Sequence, residues 1–264
     1  MQPMLNIAIR AARAAGNVII RQIDKAQDLP VNEKSRNDFV SKVDTQAEGA
    51  IIDIIHKAYP DHAILAEESG EHGENDYLWI IDPLDGTTNF LHGFPQYAVS
   101  IALQHKGVLT QAVIYDPLRQ ELFTASRGQG AQLNDRRIRV SKRKNLEGAL
   151  LGTGFPFREG ADFETYMETF RIFSPLTAGI RRAGAAALDL AYVACGRLDG
   201  FWEFGLKPWD IAAGVLLIEE AGGMVSDMQA GNDYLSSGNI ISGNPSILKE
   251  LQKYLSPVFA KQSN

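Results

Sequence analysis

Residues 77–90 have the sequence YLWIIDPLDGTTNF, in which an apolar run leads into two acids, a glycine and two threonines. The apolar run at 77–81 predicts a buried strand that ends at Asp82. Pro83 lacks an amide hydrogen and disfavours helical backbone at the residue before it, so we expect the strand to break there. Thr87 and the residues after it then offer hydroxyl groups and backbone amides at a predicted helix start. The stretch therefore predicts a strand–turn–helix unit with carboxylates at the turn.

The two acids of this stretch, Asp82 and Asp85, are three residues apart and lie beside the predicted helix N-terminus. Gly86 follows them and permits backbone angles that other residues avoid. Carboxylates next to a helix N-terminus suit a hard cation and a phosphate bound together. The alternative is an ordinary Asp-Gly turn with a threonine as the helix cap. The combination of an apolar strand, two spaced acids, a glycine and paired threonines favours the functional interpretation.

Two further acids occupy comparable positions elsewhere in the sequence. Glu67 follows the apolar run 63–66, and Asp210 precedes an apolar helical stretch at 211–221. Taken singly, a surface loop and a simple helix cap explain these acids as well or better. Magnesium, however, takes oxygen ligands from a few carboxylates together with a substrate phosphate and water. Considered together, the four acids indicate a magnesium site for a phosphate-bearing ligand.

The composition excludes several other classes of function. The chain has 264 residues, of which 45% are hydrophobic and 22% charged, as in ordinary globular proteins. A net charge of −6 gives no basic footprint for direct binding of nucleic acid or an anionic membrane. The single cysteine, Cys195, allows no intrachain disulfide and is interpreted as a structural core residue. Without a secretory signal or an apolar run long enough to span a bilayer, a cytoplasmic protein is expected.

The spacing of apolar residues predicts helices and strands along the whole chain. Helices are expected at about 5–24, 44–59, 163–173, 185–194 and 211–221, and strands at 63–66, 77–81, 97–105, 108–115, 121–125, 200–203 and 239–242. Lys106-Gly107 is a predicted hairpin turn, and the basic run 136–144 is expected to be a solvated loop. The polar segment 25–43 is expected to be either a solvated linker or a loop over a site. We expect a single domain over 1–264, a continuous two-layered α/β unit whose α+β half ends near 145 and whose α/β half begins near 146.

Several of these stretches together resemble the inositol monophosphatase family. The matching stretches are 82–90, the central signature; 209–214, the C-terminal signature; and 44, 67–69 and 181–186, which fall in the expected order. The resemblance covers nearly the whole chain and is nearest to the bacterial SuhB-type branch, which residues 4–8 and 128–133 also resemble. It implies a layered αβαβα sugar-phosphatase fold within the α/β (α+β) class, usually in a homodimer. It also implies Mg²⁺-dependent hydrolysis of inositol monophosphates and similar polyol phosphates, in a family that is sensitive to lithium.

The resemblance further implies a role for each matching residue. One Mg²⁺ would be bound by Glu67, Asp82 and the carbonyl of Leu84, and a second by Asp82, Asp85 and Asp210. A third, weaker ion would use Glu67 and the loop near Lys34. The catalytic residues would be Asp44, Glu67 and Thr87, with Asp44 and Thr87 orienting and deprotonating the attacking water. Substrate contacts are implied for Glu67, Leu84, Asp85, Gly86, Thr87, Arg181, Gly184, Ala186, Glu203 and Asp210, with Arg181 placed near the substrate or at a dimer contact.

Three alternatives remain open at the level of the sequence. The substrate could be fructose 1,6-bisphosphate or 3′-phosphoadenosine phosphate, which other enzymes of the same fold hydrolyse. The SuhB-type branch also implies a role in transcription antitermination through contacts with elongation factors and RNA polymerase. A catalytically silent metal-binding dimer is the third alternative. The number of mutually repelling acids argues against it, because such charges oppose close approach unless they are compensated.

Overall fold

The computed structural model describes residues 3–23, 31–35, 38–156 and 162–260. Its helices are α1 Pro3–Gln22, α2 Lys42–Ala58, α3 Thr87–Leu91, α4 Phe163–Phe173, α5 Ala186–Ala194, α6 Pro208–Glu220, α7 Tyr234–Ser237 and α8 Pro245–Ala260. Its strands are β1 Val31–Ser35, β2 Asp38–Ser41, β3 Ala63–Ala66, β4 Gly70–His72, β5 Tyr77–Asp85, β6 Ala98–His105, β7 Val108–Asp116, β8 Glu121–Ser126, β9 Gly130–Leu133, β10 Arg136–Arg137, β11 Leu150–Thr153, β12 Gly179–Arg181, β13 Gly200–Glu203, β14 Met224–Ser226 and β15 Ile240–Gly243. These elements confirm the mixed α/β class.

The strands form two mixed sheets and a small ribbon. The larger sheet has the order β10-β9-β8-β7-β6-β5-β3-β4, and β3 and β5 are its parallel pair. The smaller sheet has the order β12-β11-β13-β15-β14, in which β11 runs parallel to both β12 and β13. The ribbon consists of β1 and β2. Parallel neighbours end at the same edge of a sheet, so each sheet gathers the C-terminal ends of its parallel strands in one place.

Five layers of secondary structure pack around three apolar cores. On the larger sheet, Trp79 and Ile81 of β5 face the core made with α1 and α2, whereas Ile80 faces the core made with α5 and α6. This division follows from the period of two along a strand. The smaller sheet covers the other side of α5 and α6, and its outer face packs against α4 and α8. The order is therefore αβαβα, so the residue-based expectation of two layers was wrong and the five layers implied by the resemblance are confirmed.

The central helices pack unusually close together. A Cβ built on Gly214 of α6 would lie 2.5 Å from the Cβ of Leu190 on α5. Side chains line both faces of this helix pair, which is why the apolar pattern of α5 and α6 is nearly continuous rather than one-sided. The close approach fixes the N-termini of both helices relative to each other, and both N-termini contribute to the site described below.

The strand β5 continues further than the sequence indicated. We expected a break at Pro83, but pairing with β6 is interrupted only between Asp82 and Asp85 and resumes where Asp85 lies opposite Ala98. The missing amide of Pro83 is accommodated by this local irregularity, which is the usual way in which a strand tolerates proline. The prediction of a complete strand break was therefore wrong, although the pairing is interrupted at the acids.

Other expectations were met or refined. Lys106 and Gly107 both have positive φ angles, of 51° and 79°, as the predicted two-residue hairpin between β6 and β7 requires. Part of the polar segment 25–43 forms the ribbon of β1 and β2, while 24–30 and 36–37 lie outside the described residues. The helix α8, which the sequence interpretation omitted, covers the smaller sheet. Among the described residues, none of the helices has both the length and the apolar character needed to cross a bilayer.

Candidate active site

The parallel pair β3 and β5 brings the first two acids together. Ala66 lies opposite Ile81 in the register, and the amide of Glu67 donates a hydrogen bond of 3.1 Å to the carbonyl of Ile81. Glu67 and Asp82 therefore follow paired residues at the same edge of the sheet. The next amide, that of Glu68, donates to the buried carboxylate of Glu48 on α2 at 2.9 Å, which anchors the segment after β3.

Helix N-termini hold the other two acids. The Asp85 carboxylate accepts a hydrogen bond of 2.7 Å from the amide of Ala187, in the first turn of α5. Asp210 lies in the first turn of α6, where its carboxylate accepts a 2.7 Å hydrogen bond from the amide of Lys207. Free amides in the first turn of a helix favour nearby negative charge. The start of α5 thus holds the Asp85 carboxylate at the end of β5, and the start of α6 carries Asp210.

The burial of these acids perturbs their protonation. Burial raises the pKa of Asp82 well above its usual range, and the charges of Glu67, Asp85 and Asp210 raise it further. The pKa of Asp85 is likewise raised by burial and then by the charge of Asp210, while the bond from Ala187 opposes the shift. A hydrogen bond between the carboxyl groups of Asp82 and Glu67 also favours the protonated form. Four acids at one point are thus unfavourable unless protons or a cation compensate them.

The donor set fits magnesium. Glu67, Asp82, Asp85 and Asp210 offer oxygen atoms only, as Mg²⁺ prefers, and a divalent ion would offset the mutual repulsion that raises the pKa values of Asp82 and Asp85. Within the described residues, no group of three or more His, Cys, Asp or Glu side chains is arranged so that it could hold a metal ion by itself. Mg²⁺ at these acids would therefore need further oxygens from waters and from a phosphate, which are ligands that Mg²⁺ commonly uses.

A hydroxyl–carboxylate pair lies beside the acids. The Thr87 hydroxyl is 2.9 Å from Oδ1 of Asp44 and 3.0 Å from the carbonyl of Leu84. The other carboxylate oxygen of Asp44 accepts bonds from the amide and the hydroxyl of Ser41, at 2.8 and 2.6 Å, in a capping box at the start of α2. Burial raises the pKa of Asp44, and the bonds from Ser41 and Thr87 oppose that rise. A carboxylate held in this way is a stronger base than an exposed one.

The turn before α3 requires glycine. Gly86 has a φ of +92°, and a Cβ there would lie 2.8 Å from the carbonyl of Gln96. The Asn89 side chain joins this turn to two other segments of the chain. Its amide nitrogen donates hydrogen bonds to the carbonyls of Gln96, Ala183 and Gly184, at 2.7, 2.9 and 3.2 Å. The first amides of α3 have no acceptor in their own helix, and the segments around them are held in place by these hydrogen bonds.

The smaller sheet supplies the far end of the site. Glu203, at the end of β13, is buried against Gly154, which follows the parallel strand β11. Burial raises the pKa of Glu203 well above its usual range, followed by the charges of Asp189, Asp210 and Asp85. Burial also raises the pKa of Asp189 well above the usual value. This end of the site therefore presents carboxyl groups that can bind hydroxyls.

One cavity of about 400 Å³ joins these groups, a volume that suits a small ligand. It is lined by Glu67, Asp82, Leu84, Asp85, Gly86, Thr87, Thr88, Asn89, Gly154, Phe155, Arg182, Gly184, Ala185, Ala186, Asp189, Glu203, Leu206 and Asp210. Asp44 contacts this lining through Thr87. Arg181, which the resemblance implied near the substrate or at a dimer contact, is not among the lining residues, whereas its neighbour Arg182 is.

The sequence interpretation omitted several lining residues. Gly154, Phe155 and Asp189 come from segments without an acid or glycine pattern that distinguishes them from ordinary structure, whereas Asn89 belongs to the stretch 82–90 but was given no side-chain role. For Asp189 the available signal was an acid inside an otherwise apolar helix, three residues after Ala186. The possible third metal site near Lys34 involves a side chain outside those that the structure describes, so it stays a prediction.

Comparisons with known proteins identify the family and agree with the fold. Residues 1–261 match the model of a family described as the inositol monophosphatase family. The chain is 58% identical to a Pseudomonas aeruginosa protein named Nus factor SuhB, over 97% of each chain. Its fold is similar to that of the extragenic suppressor protein SuhB from Bartonella henselae, with 48% identity, a TM-score of 0.93 and 96% and 98% coverage of the two chains. It is also similar to an inositol monophosphatase from Anabaena, with 42% identity, a TM-score of 0.83 and 96% and 95% coverage.

Proposed function

Because this chain belongs to the inositol monophosphatase family, we propose that it is a Mg²⁺-dependent phosphomonoesterase that hydrolyses inositol monophosphates and similar polyol phosphates. One observation carries the proposal. Four buried or half-buried acids converge at the ends of β3 and β5 and the starts of α5 and α6, beside the bonded pair Thr87 and Asp44. A cavity with these groups at one end and Glu203 at the other accommodates a phosphate at the acids and a polyol beyond it.

Two to three Mg²⁺ ions are proposed for this site. Glu67, Asp82 and the carbonyl of Leu84 would hold one ion, and Asp82, Asp85 and Asp210 a second, so that Asp82 touches both. When bound, the ions supply positive charge to the phosphate oxygens and lower the pKa of a coordinated water. The protein's own contribution is to hold the acids at fixed positions, away from bulk water. The amides of Ala187 and Lys207, at the starts of α5 and α6, fix the positions of Asp85 and Asp210 by hydrogen bonds.

Thr87 and Asp44 are proposed to position the attacking water and accept its proton. The Thr87 hydroxyl can donate to Asp44 while its oxygen accepts a hydrogen bond from water. A proton leaving that water can then pass to the Thr87 oxygen as Thr87 gives its own to Asp44. The raised pKa of Asp44 favours this acceptance. Glu67, the third proposed catalytic residue, would contribute through the ion that it holds. The reaction proceeds by direct attack of water, without a phosphorylated protein.

The chain's backbone and polar groups would bind the ester. Amides of Gly86 and Thr87 at the start of α3 can donate to phosphate oxygens, as helix starts commonly do. Gly184, Ala186 and Glu203 would face the polyol, where the Glu203 carboxyl group can accept hydrogen bonds from hydroxyls. Catalysis by such a site depends mainly on positioning and on neutralising charge, because phosphoryl transfer needs little covalent chemistry from the protein.

Phosphate release from inositol 1-phosphate, measured with increasing Mg²⁺, tests the proposal. Asp82→Asn should lose nearly all turnover, because one residue is proposed to touch two ions. Asp53→Asn, which changes an exposed acid on α2, is the matched control and should behave like the wild type. Near-normal turnover of Asp82→Asn at saturating Mg²⁺ would exclude the proposed site. Fructose 1,6-bisphosphate and 3′-phosphoadenosine phosphate, assayed in parallel, separate the alternative substrates.

A second function is favoured by the names of the relatives. The Pseudomonas aeruginosa protein, and an Escherichia coli protein that is 53% identical over 95% of each chain, are both named Nus factor SuhB. We propose that this chain also contacts transcription elongation factors and RNA polymerase, which would place it in the cytoplasm. Pull-down of these purified proteins by the wild type and by Asp82→Asn tests the idea. Equal capture by both would make binding independent of catalysis, and no capture by either would exclude the second function.

A further inference from the structure

Arg182 is the one basic side chain in the described lining of the cavity, which is otherwise strongly acidic. The acids that share this lining with it are Glu67, Asp82, Asp85, Asp189, Glu203 and Asp210. Opposite charges in such a site usually form ion pairs, which satisfy the carboxylates and fix the arginine. This arginine does not follow that pattern.

The Arg182 guanidinium is positioned by packing instead. Its central carbon lies 5.1 Å from the centre of the Phe155 ring, in a cation–π contact. One of its terminal nitrogens also lies close to Gly184, where an added Cβ would approach it to 3.3 Å. Among the residues that the structure describes, none forms a hydrogen bond or an ion pair with this guanidinium. The N–H groups of Arg182 are therefore held in place, and within the described residues none of them donates a hydrogen bond.

The position of Arg182 relates it to the polyol end of the cavity. Its positive charge acts on Asp189, Glu203 and Tyr166, where it partly offsets the rise in pKa that burial causes. Phe155, which the Arg182 guanidinium contacts, is 40% exposed and also lines the cavity. The residues proposed to hold Mg²⁺ and the scissile phosphate lie after β3, in β5 and at the starts of α3 and α6. A ligand that spans from those residues past Glu203 would reach the guanidinium.

We propose that Arg182 is a specificity residue that binds a second oxyanion, a phosphate or a carboxylate, on the far side of a polyol phosphate substrate. This inference rests on the proposed function. Without Arg182, the acids at this end would repel a second negative group on the substrate. A guanidinium presents a planar set of donors that matches the two oxygens of a carboxylate or phosphate, and ring stacking leaves that edge available. Substrates with one anionic group would not use it.

A purely electrostatic role for Arg182 makes a different forecast. If its function were only to offset the charges of Asp189 and Glu203, its removal would affect every substrate alike. If it binds a second oxyanion, removal would affect only the substrates that carry one. The ratio of kcat/KM between two substrates therefore separates the two roles, and it cancels any general loss of active protein.

The experiment compares three substrates in saturating Mg²⁺. Inositol 1-phosphate has one anionic group, fructose 1,6-bisphosphate adds a phosphate, and 6-phosphogluconate adds a carboxylate. Each substrate is assayed with four proteins: the wild type, Arg182→Gln, Arg182→Lys and Arg181→Gln. Light scattering measures the mass of each variant in solution. Arg181→Gln is the matched comparison, because Arg181 neighbours Arg182 in sequence but is not in the cavity lining.

For Arg182→Gln, we expect kcat/KM on the bisphosphate, relative to inositol 1-phosphate, to fall about tenfold or more, mainly through KM, as for loss of a charge-assisted hydrogen bond. Arg182→Lys should recover part of the ratio, and Arg181→Gln should keep it. A matching fall with 6-phosphogluconate identifies carboxylate as well as phosphate recognition. Unchanged ratios, or a fall in Arg181→Gln instead, would overturn the inference and leave the proposed function intact. Absence of phosphate release from all three substrates by the wild type would overturn both.

Discussion

Gly154 lies so close to Glu203 that the Glu203 carboxylate occupies the space where a side chain at position 154 would be. A Cβ built on Gly154 would overlap both oxygens of that carboxylate. The two residues follow or end the parallel strands β11 and β13, where Thr153 lies opposite Trp202. The missing side chain at 154 therefore allows the carboxylate to lie buried in the cavity wall, at the end assigned to the polyol.

We predict that Gly154→Ala will displace the Glu203 carboxyl group and weaken substrate binding. The overlap involves the end of a flexible side chain, so Glu203 can move, but it cannot stay in its present position. We expect kcat/KM for inositol 1-phosphate to fall about tenfold, mostly through KM, since a buried polar group that loses its hydrogen-bond partner costs about 1–3 kcal/mol. Steady-state kinetics measure the split between KM and kcat.

Gly49→Ala is the control for this substitution. Gly49 lies exposed within α2, and a Cβ there would meet no other atom within 4 Å. Alanine at such a helical position stabilises by about 0.5–1 kcal/mol, and activity should not change. If Gly154→Ala kept a wild-type KM, the assigned role of Glu203 in binding the polyol would be wrong.

The acids of the site could be predicted because each lies at a recognisable boundary. Asp82 follows an apolar run within β5 and Asp210 lies in the first turn of an apolar helix, so local patterns mark both acids. Gly154 and Asp189 could not be found in this way. Their importance depends on the pairing of β11 with β13 and on the packing of α5 beneath the smaller sheet, which are contacts between distant parts of the chain.

The layer order shows the same limit. The continuous apolar run of β5 could predict that both faces of this strand are buried. It could not show that one face meets α1 and α2 and the other α5 and α6, because that depends on the path of the chain after β10. The resemblance to a family supplied the five layers, and the residues by themselves indicated only two.

Thr87→Ala should lower kcat with little change in KM. The lost hydroxyl is proposed to act on the attacking water through its 2.9 Å bond to Asp44, whereas phosphate binding uses backbone amides that remain. Proton transfer by a positioned group contributes about 10²–10⁴-fold, so a loss of about a hundredfold in kcat is expected. Thr87→Ser keeps the hydroxyl and should retain most activity. Equal losses in both variants would show that the methyl group matters rather than the hydroxyl.

Gly214→Ala should destabilise the whole protein. The added methyl group would lie 2.5 Å from the Cβ of Leu190, a backbone-near atom that cannot turn away as the end of a long side chain can. Overpacking of this kind typically costs about 1–3 kcal/mol. Chemical denaturation measures the loss. The double variant with Leu190→Ala should lose less than the sum of the two single variants, because the truncation removes Cδ1 and Cγ of Leu190, which would lie 2.6 and 3.0 Å from the added methyl group. An additive result would contradict this packing of α5 against α6.

Asp189→Asn should stabilise the folded protein at neutral pH in the absence of divalent ions. Burial raises the pKa of Asp189 well above the usual value, so the folded state binds its proton more tightly than the unfolded state. The stability that this carboxyl group contributes is therefore present below its unfolded pKa and is lost as pH rises through its folded pKa. Asparagine resembles the protonated form at every pH. Thermal melts of both proteins from pH 4 to pH 8 should show a difference that grows with pH, and a constant difference would contradict it.

Mg²⁺ should stabilise the protein more at pH 8 than at pH 6. The pKa values of Asp82 and Asp85 are raised, first by burial and then by the charges of neighbouring acids, chiefly Glu67 for Asp82 and Asp210 for Asp85. Protons held by these acids compete with a cation, so apparent affinity rises with pH and binding releases protons. At a hundred times its dissociation constant a ligand stabilises by about 2.7 kcal/mol. Calorimetric titration in buffers of different ionisation enthalpy measures the released protons. Asp82→Asn should lose both the stabilisation and the proton release, whereas Asp53→Asn should keep them. If Mg²⁺ left the melting temperature of the wild type unchanged at both pH values, the four acids would not bind it.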